Sequence, residues 1–243
     1  MAGIYLHIPF CRKICGYCDF FKNVSLQQKD ALLDAMQQEI SKRKDYLNEP
    51  VETIYFGGGT PSVLKTEEIA QFLETILANF EISKTPEITF EANPDDLSLA
   101  YLSELKKLGI NRLSIGIQSF DNKVLQFMNR RHTAEEAIAC VKKAQKEGFD
   151  NLSLDIIYGI PNTDVVYLEE NLQQLCALAP THISAYHLTI EKGTPFAYLK
   201  KKGKLHEIAD ENSEKQYKFL VAFLTAKGYE QYEISNFCKD GKI

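Results

Sequence analysis

Three of the six cysteines, Cys11, Cys15 and Cys18, fall within eight residues, spaced Cys-x3-Cys-x2-Cys. Clustered thiolates are soft ligands that suit zinc or iron–sulfur clusters. A structural zinc closes a tetrahedron with four ligands, often as two Cys-x2–4-Cys pairs. This sequence has no second pair, so His7 or Asp19 would have to complete such a site. A four-iron cluster ordinarily takes four cysteines. Held by three, it leaves one iron open to a ligand from outside the chain, which is a catalytic arrangement. The third reading is a loop with three free thiols. Cys140 and Cys176 fall on predicted helices and read as core thiols. Cys238 receives no role.

The other residues able to do chemistry sit at one kind of place. Gly57, Gly58, Gly59 and Thr60 follow an apolar strand. Such a turn lets a ligand approach the backbone and leaves N–H and C=O groups free for it. It is not a P-loop, because no Lys-Ser/Thr follows. Glu91, Asn93 and Gln118 end further strands, Asp155 lies inside another, and His187 ends the last of the series. Arg130-Arg131, read alone, is a solvated helix end.

The elements that must position them alternate. Strands are predicted over 4–8, 53–56, 87–92, 112–117, 151–158 and 182–188, and helices over 27–47, 66–80, 98–108, 133–147 and 164–179. Gly109 and Gly148 close two of these helices. Repeated β-then-α order predicts a parallel sheet with helices outside it, as an open doubly wound sheet or an incomplete barrel. In both architectures the site lies at the carboxyl ends of the strands. After Leu188 the pattern changes. Pro195, Lys200–Lys202 and Gly203 read as a surface loop, 210–227 as one more helix, and 229–237 as an aromatic stretch. The stop at Ile243 reads as a truncated chain, with apolar edges around Ile183, Tyr186 and Tyr232 left partly uncovered.

Composition sets the class. The chain has 243 residues, 44% hydrophobic and 25% charged, with a net charge of −5. That is globular composition, and with no basic stripe a nucleic-acid partner is not expected. No apolar run approaches the ~18 residues of a membrane span, and no signal-peptide pattern opens the chain. A cytoplasmic protein is predicted.

The stretch Tyr5-Leu-His-Ile-Pro-Phe-Cys11-Arg-Lys-Ile-Cys15-Gly-Tyr-Cys18 resembles the signature of the radical S-adenosylmethionine (SAM) superfamily. More narrowly, it is similar to the oxygen-independent coproporphyrinogen III oxidases and the HemW-type haem chaperones. Tyr55–Ser62, Phe90–Pro94, Ser114–Phe120, Asp155–Pro161, Ser184–Leu188 and Tyr232–Phe237 carry the same resemblance. It implies an α/β fold: a partial (β/α)6 TIM-like barrel over 1–190, with 191–243 the start of a truncated C-terminal region. It implies a 4Fe-4S cluster on Cys11, Cys15 and Cys18, with SAM chelating the open iron. A reduced cluster of this kind cleaves SAM to methionine and a 5′-deoxyadenosyl radical. Gly58, Gly59, Thr60, Glu91, Gln118, Arg130, Asp155 and Tyr5 match SAM-contacting positions, and Tyr17 packs on the adenine in the same reading.

The resemblance further implies a haem or porphyrin ligand, a reductant such as flavodoxin or ferredoxin, a haem acceptor protein and weak membrane association. The oxidases carry one more cysteine two residues after the third. Here Asp19-Phe20 follows Cys18, a departure that points to the haem chaperones. Their His-Asn-x-x-Tyr-Trp haem motif falls beyond Phe237 and is absent from this sequence. His182, His187 and His206 are the histidines considered as haem ligands, against a plain structural role for each. Three readings stand: a chaperone that binds and transfers haem, a coproporphyrinogen III oxidase, and a non-enzymatic domain with a structural metal.

Overall fold

Strand β1 (Ala2–Ile8) buries Leu6 and Ile8 while Tyr5 and His7 point the other way. That period-two alternation recurs along the whole sheet and explains its two unlike faces. In the computed structural model, which describes residues 2–242, β2 (Val51–Gly58), β3 (Ile82–Ala92), β4 (Arg112–Gln118), β5 (Asn151–Tyr158) and β6 (His182–His187) follow β1 in parallel. Two short strands, β7 (Glu230–Glu233) and β8 (Asn236–Cys238), add on antiparallel, giving the order β1-β2-β3-β4-β5-β6-β8-β7. The sheet is open between β1 and β7. The architecture is a partial (β/α)6 barrel.

One face of the sheet is apolar. Phe56, Phe90, Leu113, Ile115, Leu154 and Ile183 are essentially fully buried against the outer helices α1 (Lys29–Lys42), α2 (Thr66–Asn79), α3 (Leu99–Lys107), α5 (Ala134–Lys146) and α6 (Val165–Ala177). The concave face is polar. Register places Glu91 beside Ser114, Ser114 beside Ser153, and Asp155 between Gly116 and Ser184. A closed barrel of this family of shapes fills its interior with branched apolar side chains; this one lines it with hydroxyls and carboxylates, which leaves room and hydrogen-bonding groups for a ligand.

Helix starts are set locally. Ser98 accepts the Tyr101 N–H, and Thr133 with Glu136 forms a capping box on α5. Glu68 does the same for the Lys65 N–H at α2.

Three expectations are corrected. Residues 195–201 are not loop but helix α7 (Pro195–Lys201): Thr194 caps it by accepting the Ala197 N–H, and proline is tolerated in the first turn. Helix α4 (Asn122–Phe127), capped by Asp121, stands where no element was predicted, because it is too short to show a period. Ile183 is not an uncovered edge. It is fully buried, since Phe237 of β8 pairs with it, whereas Tyr186 and Tyr232 remain 47% and 39% exposed. Helix α8 (Asp210–Ala226) packs on α6 and contributes Leu220 and Leu224 to the main core.

Candidate functional site

The cysteine loop leaves β1 and is fastened at its base. Cys11 donates its N–H to the Asn23 carbonyl at 2.9 Å, and Asn23 donates to the Pro9 carbonyl at 2.6 Å. Lys22 Nζ donates to the Cys18 and Phe20 carbonyls. The middle of the loop is held by distant segments. Gly16 donates to the Met128 carbonyl and accepts from the Phe196 N–H, both at 2.9 Å, and Asn129 Nδ2 donates to the Ile14 carbonyl at 2.7 Å. The Phe196 ring stacks on Phe127 with centroids 4.6 Å apart and packs against Gly16.

A Cβ at Gly16 would sit 2.3 Å from Phe196 Cε1. Gly16→Ala is therefore expected to push α7 off the loop and cost about 1–3 kcal/mol, the usual range for overpacking. Thermal melts check this; an unchanged midpoint would show that Phe196 swings aside freely.

The three thiols border one cavity of about 420 Å³ at the carboxyl ends of the strands. Thr60 Oγ1 donates to Cys11 Sγ at 3.3 Å and Arg130 Nη1 to Cys15 Sγ at 3.4 Å. Burial holds the Cys11 and Cys18 thiols above their ordinary range. Among the described residues, no three His, Cys, Asp or Glu side chains gather closely enough to hold one metal ion. His7 is engaged elsewhere, by the Tyr5 hydroxyl at Nδ1 and the Phe21 carbonyl at Nε2.

Gly58, Gly59, Thr60, Glu91, Gln118, Arg130, Asp155 and Tyr17 all line the same cavity. Gly58 has φ +113°, a conformation that L side chains rarely adopt, and a Cβ there would meet the His7 ring at 2.8 Å. Gln118 ends β4 with φ 67°, a strained backbone for a residue that is not glycine. Glu91 accepts the Tyr55 hydroxyl at 2.7 Å and the Gly58 N–H at 3.2 Å, and burial raises its pKa. Asp155 accepts the Ser114 hydroxyl at 3.4 Å; burial, followed by repulsion from Glu91, pushes it up to about 7. Arg130 donates from Nη2 to the Asn93 side chain and the Gly116 carbonyl, both at 2.7 Å. Its Nε is buried with no hydrogen-bond partner among the described residues. Such a donor is costly unless a ligand accepts from it. Tyr5 stands apart: it is 58% exposed, borders Tyr55 and His7, and does not line the cavity.

Arg130 and Arg131 are not a solvated helix end. Arg131 ion-pairs with Asp95 at 2.6 Å and Asp96 at 2.8 Å. His182 is buried with both ring nitrogens engaged, by Ser153 at 2.8 Å and Tyr232 at 2.7 Å; burial lowers its pKa to about 4. His206 is exposed. His187 lines the cavity and bonds Ser213 at 2.6 Å. Cys140 is buried in the core, while Cys176 is only partly buried. Sequence reasoning missed Tyr55, Asn93's link to Arg130, and Gly16. The first had a signal, since it alternates with Ile54 and Phe56 on β2 and so faces the concave side.

Comparison with known proteins places the chain in a family. The family model described as the Radical SAM superfamily matches residues 5–175. A curated relative from Bacillus subtilis, "Heme chaperone HemW", is 38% identical over 99% of this chain and 64% of its own length. Its counterpart in Buchnera aphidicola, under the same name, is 40% identical over 98% of this chain and 62% of its own. The chain thus spans a little under two thirds of the curated relatives it matches. The solved structure of coproporphyrinogen III oxidase (HemN) from Escherichia coli superposes with a TM-score of 0.88 at 30% identity, covering 99% of this chain and 56% of that one. Residues 5–175 hold the cysteine loop, the glycine turn and every strand-end residue of the cavity through Asp155, and on that match the chain belongs to the radical SAM superfamily.

Proposed function

We propose that Cys11, Cys15 and Cys18 hold a 4Fe-4S cluster, that SAM lies in the adjoining cavity, and that the protein binds haem and passes it to an acceptor. The observation that carries the cofactor reading is Arg130. Its guanidinium reaches the Cys15 thiol, yet its buried Nε has no partner among the described residues, leaving a cationic donor beside the thiols for a ligand carboxylate. Glu91 and Asp155 offer acceptors for an ammonium or ribose hydroxyls. Gly58–Thr60 offer an approachable backbone. When bound, SAM and a reduced cluster supply one-electron chemistry for hydrogen abstraction. The chain's own part is to orient SAM and exclude water.

The haem assignment rests on the names of the Bacillus and Buchnera relatives. The second reading, an oxygen-independent coproporphyrinogen III oxidase, draws on the likeness to the Escherichia coli oxidase. Asp19-Phe20 in place of a further cysteine favours the first. In this reading residues 1–190 are the core, and the protein works in the cytoplasm with a flavodoxin- or ferredoxin-type reductant and a haem acceptor. Anaerobic reconstitution with iron and sulfide, then titration with haem, decides between the readings. A new Soret band with no decarboxylation of coproporphyrinogen III would support the chaperone. Decarboxylation with SAM consumption would establish the oxidase instead.

A further inference from the structure

Asp96 closes the 3-10 turn Pro94–Asp96 after β3, and its side chain is only 7% exposed. One carboxylate oxygen accepts from Arg131 Nη2 at 2.8 Å and faces Arg12 Nε at 3.4 Å; the other accepts the Ser62 hydroxyl at 2.8 Å. Each partner adjoins a different part of the site. Arg12 follows Cys11, Ser62 lies two residues past Thr60, and Arg131 follows Arg130. A second strand of bonds runs parallel: Ser62 Oγ accepts the Asn93 N–H at 3.2 Å, and Asn93 Oδ1 accepts Arg130 Nη2 at 2.7 Å.

We propose that Asp96 is a positioning residue that holds the cysteine loop, the glycine turn and the Arg130 segment in mutual register before any cofactor binds. A carboxylate has about four acceptor sites, and here three are directed at three separate segments. Charge-assisted bonds are the directional ones, so a single side chain ties together three segments that otherwise meet through the Gly16–Met128 backbone bond and the Thr60–Cys11, Arg130–Cys15 and Asn129–Ile14 contacts. The neighbouring Asp95 has its ion pair with Arg131 and is more exposed, at 19%. On its outer side the network meets a surface cavity of about 590 Å³, so an altered side chain has room there.

The inference rests on reading these loops as the cofactor loops, but its test does not need a cofactor. Amide hydrogen exchange is measured on the metal-free 243-residue chain and its variants. Asp96→Asn is expected to speed exchange on the order of tenfold, the factor carried by one hydrogen bond to a charged group, in both 11–18 and 57–64. Segment 151–177 should not change, and Asp95→Asn should spare both loops. The single-link variants separate the arms and serve if Asp96→Asn fails to fold. Arg12→Gln should loosen 11–18 alone, Arg12→Lys should restore its protection, and Ser62→Ala should loosen 57–64 alone. Unchanged exchange in both loops, or a uniform rise across the chain, would overturn the proposal. Failure of the wild-type chain to take up iron would instead overturn the cofactor reading and leave the exchange result standing.

Discussion

Replacing any one of Cys11, Cys15 or Cys18 by Ala is expected to abolish retention of iron and sulfide after anaerobic reconstitution, while the barrel stays folded. The two halves of that expectation have separate grounds. All three thiols border the cavity, and two of them receive a hydrogen bond aimed at sulfur, from Thr60 and Arg130. The apolar core, in contrast, is built from the other face of the sheet and the outer helices. Removing a thiol from the cavity wall therefore takes a ligand from the metal and little from the main core, which includes none of the three. Because burial keeps Cys11 and Cys18 protonated above their ordinary range, loading must displace protons, and reconstitution of the wild-type chain should quicken as pH rises. Iron and sulfide analysis of the three single variants, alongside circular dichroism, checks this. Full iron content in the triple variant would end the assignment.

The cysteine triad is legible in the sequence because its chemistry resides in residue type and close spacing. The strand-end residues Glu91, Gln118 and Asp155 are legible for a different reason: parallel β-then-α order sends every such position to one mouth. What escapes has a physical cause in each case. Gly16 looks like any loop glycine until Phe196 arrives from the far end of the chain and occupies the space of its side chain. Asp95-Asp96 looks like acid at a helix start, and only the folded turn brings Arg12, Ser62 and Arg131 to Asp96. Helix α7 is masked by Pro195 and the lysine run, because a proline in a first turn and lysines in a last turn are also what a loop contains. The polar concave face is spread one residue per strand over Ser114, Ser153 and Ser184, so no local window displays it.

Asp155→Asn is expected to act in opposite directions on stability and on ligand binding. In the folded chain, burial first and Glu91 second raise this carboxyl from 3.8 to about 7. The sign follows from linkage. The folded state holds the proton more tightly than the unfolded state, so the group penalises folding as pH rises through that interval. The penalty is absent below about pH 4, grows between pH 4 and 7, and is fully present above pH 7. Three units at about 1.4 kcal/mol each make it roughly 4 kcal/mol. Asn keeps an acceptor for the Ser114 hydroxyl and removes the charge. At about pH 8 the ligand-free variant should therefore melt roughly 8–16 °C above the wild type. That gap should narrow on acidification and close near pH 4. The same carboxylate is the buried anion of the proposed SAM site, and the variant should lose SAM affinity by on the order of a hundredfold, as expected for a charge-assisted hydrogen bond to a ligand. Wild-type SAM affinity should also fall as pH drops through 7, where Asp155 takes up its proton. Melting curves and SAM titrations across this range are the test. A variant that melts below the wild type at pH 8 would show that Asp155 contributes to the fold through its charge. Unchanged SAM affinity would remove it from the site.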